Sequence, residues 1–67
     1  MNASDVRAAV DQIRRAEVRQ DPERAHGDQD DLYVDVLTAI SEGCDDPAEL
    51  AAIALTVRDI EFPRWYA

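Results

Sequence analysis

The run DQDDLYVDVLTAISEG, residues 28–43, holds a start signal, a stop signal and two faces of opposite character. Asp28 with Asp31 three residues on has the form of a capping box, with Asp in place of the usual Glu. Gly43 supplies the residue that takes a left-handed backbone just past a helix end. Between them Leu32, Tyr33, Val36, Leu37, Ala39 and Ile40 fall on one side of a helix, an arc of roughly 160° that is too wide for one neighbour. The other side carries Asp31, Asp35, Thr38 and Glu42 at spacings of four, three and four. The run therefore predicts the middle helix of a bundle, over about 28–42, with core on one side and an acidic ridge on the other.

Upstream, Ser4 has the chemistry of an N-cap, and Asp5 suits the positive end of the helix dipole. Val6, Ala9, Val10, Ile13 and Ala16 recur at helical spacing, which predicts a first helix over about 5–19. Its outer side is rich in arginine: Arg7, Arg14 and Arg15 surround Asp11, and Asp11 is placed to pair with Arg15 four residues on. Glu17 lies on the apolar side and shortens it. Asp21-Pro22 then breaks the pattern, because proline disfavours helical geometry in the residue before it. The segment DPERAHG, residues 21–27, reads as one capped turn closed by Gly27. The alternative is that this turn runs straight on into the middle helix.

Downstream, the short connection Cys44-Asp45-Asp46 favours an antiparallel neighbour. Asp46 as cap, Pro47 at the first position and Glu49 at the third open a third helix over about 47–59. Leu50, Ile53, Ala54, Val57 and Ile60 mark its buried side, and Ala48, Ala51, Ala52 and Leu55 its back. Leu55 is either an ordinary exposed leucine or the contact of a homodimer through this helix. The last run, IEFPRWYA at 60–67, reads as an extended tail. Ile60, Phe62, Trp65 and Tyr66 each cost about 1.5–3 kcal/mol to leave in water, so the expectation is a tail packed on the helices. The functional alternative is an anchor of Arg64, Trp65 and Tyr66 docking on a partner, since these residue types dominate interface hot spots. The whole is an all-α chain, a small three-helix bundle with an extended aromatic C-terminal tail packed on it.

Length and charge narrow the function. A chain of 67 residues is one small domain, and a domain of this size buries only about 60% of its unfolded surface. Cys44 is the single cysteine and His26 the single histidine, so neither a disulfide within the chain nor a zinc site adds stability. Self-association or a protein partner is the expected supplement. Net charge is −8 and uneven. Residues 1–24 hold five arginines against five acids, and residues 25–67 hold two against ten. The acidic part repels phosphate and anionic lipid, which predicts no nucleic acid and no membrane as partner. With no apolar run of signal or membrane-spanning length, the chain is expected to be soluble and cytoplasmic.

Asp21-Pro22, Ala25-His26, Asp31-Leu32, Asp35-Val36-Leu37 with Ala39-Ile40, and the closing Asp-Ile-x-Phe-x-Arg-Trp give the chain a resemblance. It resembles short uncharacterised acidic proteins of actinobacteria and their phages over about two thirds of its length. That resemblance implies an origin and a compartment, and it brings no catalytic residue, substrate or cofactor.

Chemistry finds little purchase. His26, with Glu23 three before and Asp30 four after, has the ligand types for a divalent metal and a metal-dependent activity. Gly27 interrupts the helix such spacing needs, and a surface or helix-end histidine is the plainer reading. Ser4, Thr38, Ser41 and Thr56 serve as caps or helix positions, and Cys44 is expected to be inert. With two glycines there is no phosphate loop. The expectation is a non-enzyme without cofactor, acting by protein–protein contact as an accessory or regulatory domain. The competing reading makes Asp31, Asp35 and Glu42 an acidic decoy for a basic nucleic-acid-binding protein. The arginine side of the first helix reads as a solvated, salt-bridged surface.

Overall fold

The computed structural model describes residues 1–60, and for residues 17 and 18 the backbone alone. Three helices follow one another, α1 (Ala3–Val18), α2 (Pro22–Ser41) and α3 (Pro47–Leu55), and a 3-10 turn over Thr56–Asp59 extends the last. Among the described residues there is no strand. α1 packs most extensively on α2 and also on α3, and α2 packs on α3, so the fold is the expected small all-α bundle. The aromatic tail from residue 61 onward lies outside the described residues.

Each helix start is built from side-chain oxygens, though two are not where the sequence suggested. α1 is capped by Asn2 and not by Ser4. The Asp5 N–H donates to Asn2 Oδ1 at 3.0 Å, and the Asn2 N–H donates back to Asp5 Oδ2 at 3.0 Å. This reciprocal box satisfies two orphan donors at once, which a lone serine cannot do, so the helix begins at Ala3. It ends where Gln20 turns left-handed, at φ 58°, and the Asp21 N–H reaches back to the Ala16 carbonyl at 3.0 Å.

The start of α2 corrects the sequence reading. Asp21 Oδ1 accepts the Arg24 N–H at 3.2 Å, Pro22 takes the first position, and the helix runs unbroken through Gly27 to Ser41. Asp28 is not its cap. A glycine inside a helix costs about 1 kcal/mol relative to alanine. That is too little to break a helix that is capped upstream and anchored on both sides, by Ala25 and by Leu32, in the core. The stop is the one the sequence predicts. Gly43 has φ 80°, its N–H donates to the Ile40 carbonyl, and the Cys44 N–H donates to the Ala39 carbonyl, both at 3.0 Å. This is the paired closure of a Schellman motif. α3 also opens as predicted: Asp46, left-handed at φ 49°, accepts the Glu49 N–H at 3.3 Å ahead of Pro47. After the 3-10 turn Ile60 is extended and buried.

The core is small. Val6, Ile13, Leu32, Leu50 and Val57 are its largest fully buried side chains, and Ala16, Ala25 and Ala54 fill between them where the helices approach. On α2 the apolar arc divides. Leu32 and Val36 are buried, Tyr33, Ala39 and Ile40 are half-buried, and Leu37 is 65% exposed. The helical pattern puts Leu37 in the core, but it stands roughly 100° round the helix from Val36. The stripe through Ala25, Leu32 and Val36 already fills the space that α1 and α3 leave.

Candidate functional site

α2 is the longest helix, at 20 residues, and most of its outer surface faces water. Asp31, Asp35 and Glu42 are exposed, as the sequence suggested. Thr38 and Ser41 lie among them but turn their hydroxyls inward. Thr38 Oγ1 donates to the Val34 carbonyl at 2.7 Å, and Ser41 Oγ donates to the Thr38 carbonyl at 2.8 Å. The carboxylates are therefore the side chains on this ridge with polar groups free of the helix backbone.

Beside the ridge lies an apolar strip that the sequence reading missed. Val34 is 62% and Leu37 65% exposed, three residues apart and so neighbours on one face of the helix. Val34 stands only roughly 60° round from Asp31. Its place among acids hid it, and the i, i+3 spacing of Val34 and Leu37 was the signal that could have found it. Half-buried Tyr33 and Ile40 carry the strip back to the core edge. Leu55, on α3, is 47% exposed, and Ala52 and Ala48, three and seven residues before it, are exposed too. Of the other predicted contact residues, Arg64, Trp65 and Tyr66 lie outside the described residues.

His26 is not a surface group. It is 8% exposed, with Nε2 3.8 Å from Asp30 Oδ1. The unbroken helix does set Glu23, His26 and Asp30 on successive turns, which removes the objection drawn from Gly27. Even so, among the described residues no three His, Cys, Asp or Glu side chains come together to hold a metal ion. Cys44 is a half-buried free thiol following Gly43.

On the arginine side, Asp11 pairs with Arg14 at 3.3 Å and not with Arg15. Arg24 Nε stands 3.5 Å from Asp28 Oδ2. Arg15 and Arg19 have no acidic partner among the described residues; both line an open depression along the outer side of α1 and another between the end of α1 and the start of α2. No helix among the described residues is long and apolar enough to cross a membrane. Compared with known protein families, with curated proteins and with solved structures, the chain matches none.

Proposed function

We propose that the protein is a small non-catalytic interaction domain that acts through protein–protein contact, with the outer face of α2 as its contact surface. The observation that carries this reading is the neighbouring exposure of Val34 and Leu37, both more than half exposed, with the carboxylate ridge of Asp31, Asp35 and Glu42 beginning roughly 60° round the helix from Val34. Two large apolar side chains left in water by so small a core favour burial against a partner, at about 25 cal/mol per Å² removed from solvent. The carboxylates alongside select partners with a basic border. An amphipathic segment with apolar anchors and flanking Lys or Arg has that chemistry.

The test is capture of partners from the cytoplasm of the source cells by the whole chain, in parallel with Val34→Ser/Leu37→Ser. Loss of the captured protein in the variant, with helix content unchanged, supports the reading; equal capture by both sinks it. The acidic-decoy reading rests on Asp31, Asp35 and Glu42 alone. It requires that reversing those three charges abolish binding while the Val34/Leu37 variant binds normally. Arg64, Trp65 and Tyr66 are kept as a second contact element in this proposal, and truncation after Pro63 tests them.

A further inference from the structure

The groove between α1 and α2 carries opposite charges at its two ends. One depression, of about 250 Å³, is lined by Gln12, Arg15, Ala16, Arg19, Asp21, Arg24 and Asp28. The other, of about 190 Å³, is lined by Ala9, Gln12, Asp28, Asp31, Leu32 and Asp35. Gln12 and Asp28 belong to both, so the two depressions form one groove with those residues at its middle. Arg15 and Arg19 lie three and seven residues from Gln12 toward the α1–α2 turn, and Asp31 and Asp35 lie three and seven residues from Asp28 away from it. At 1.5 Å per residue, each charged end is about 4–10 Å from the middle.

Among the described residues the ionic partners leave these ends open. Arg24 is engaged by Asp28, and Asp21 accepts the Arg24 N–H as helix cap. Among the described residues Arg15 and Arg19 have no acidic partner, and Asp31 and Asp35 have no basic one. A wholly acidic or wholly basic partner would satisfy one end and be repelled by the other. The same groove turned end for end satisfies both. We infer that this groove is the interface of a homodimer with two-fold symmetry. The two-fold axis lies in the interface, at right angles to the line joining the charged ends, and sets Arg15 and Arg19 of each copy against Asp31 and Asp35 of the other. Such an isologous contact uses one patch twice and closes on itself. The uncharged Gln12 stands at the middle, with the small side chains of Ala9 on the acidic side and of the mostly buried Ala16 on the basic side. Leu37, roughly 160° round α2 from Asp35, stays outside it, so in the dimer the partner contact proposed above keeps Leu37 and Glu42 while Asp31 and Asp35 are engaged by the other copy.

The inference is distinct from dimerisation through Leu55 on α3, and one experiment separates them. Sedimentation equilibrium of the full chain, up to high micromolar concentration in low salt, is expected to show a monomer–dimer equilibrium. Arg15→Glu/Arg19→Glu makes both ends acidic, Asp31→Arg/Asp35→Arg makes both ends basic, and each variant alone is expected to be monomeric. Mixed in equal amounts they restore both contacts, and a dimer containing one copy of each should appear in native mass spectrometry. All four positions are exposed, so the variants are expected to keep the helix content of the wild type, which circular dichroism checks. Should either reversal unfold the chain, Arg15→Gln/Arg19→Gln serves instead and is expected to weaken the dimer by about tenfold or more. A wild-type chain that stays monomeric, variants that dimerise as the wild type does, or a mixture that remains monomeric would each overturn the inference.

Discussion

Arg24 stands over Asp28. The Arg24 Nε is 3.5 Å from Asp28 Oδ2, one turn along the same helix, and that oxygen is buried without a hydrogen-bond partner. The contact is an ion pair slightly too long for a hydrogen bond, and it makes the Arg24 guanidinium the compensation for a carboxylate oxygen that water does not reach. Removing the arginine leaves that oxygen with nothing. Arg24→Ala is therefore expected to cost about 1–2 kcal/mol in urea unfolding, although the Arg24 side chain is largely exposed. Arg24→Ala/Asp28→Ala should be more stable than Arg24→Ala, because the stranded acceptor is gone.

The two glycines respond to the same substitution with opposite signs. Gly27 lies inside α2, and a Cβ there meets nothing within 4 Å. Gly27→Ala should raise stability by about 0.5–1 kcal/mol, through helix propensity and a less flexible unfolded chain. At Gly43 there is equal room but φ is 80°, where a Cβ costs roughly 1–2 kcal/mol. Gly43→Ala should lower the unfolding midpoint, and equal shifts in both variants would contradict the assigned backbone.

The caps of α2 and α3 are chemically alike and conformationally different. Asp21 caps at φ −114°, whereas Asp46 caps at φ 49°. Asp21→Ala loses a cap, worth about 1 kcal/mol. Asp46→Ala loses the cap and also puts an alanine in a left-handed position, which adds about another 1 kcal/mol. Asp46→Asn retains both the acceptor and the left-handed tolerance, and should stay close to wild type in thermal denaturation.

Leu32 and Leu37 offer a direct test of which side of α2 faces the core. Leu32 is 2% exposed and Leu37 is 65% exposed. Leu32→Ala is expected to cost about 2–5 kcal/mol, enough to unfold a marginal domain, and Leu37→Ala within about 0.5 kcal/mol of nothing. Comparable losses at both sites would place Leu37 back in the interior.

Much of this protein is determined within a few residues of chain. Asp46-Pro47 with Glu49 starts α3 wherever it lies, Gly43 ends α2, and the spacing of Val6, Val10 and Ile13 makes one face of α1 apolar. These signals are legible because cap, proline and period act locally. The path of the chain after Asp21-Pro22 is not, since a cap and a glycine six residues apart give contrary local instructions. The burial of Ala25 and Leu32 on either side of Gly27 decides between them, and only the packed bundle supplies it. The same holds for the surface. Sequence alone set which residues of α2 are apolar and which are acidic, and it marked the ridge of Asp31, Asp35 and Glu42. Which apolar residues are left over depends on where α1 and α3 lie, and that alone exposes Val34 and Leu37. It also brings Arg15 and Arg19 into one groove with Asp31 and Asp35, a meeting that residues on two helices owe to tertiary packing.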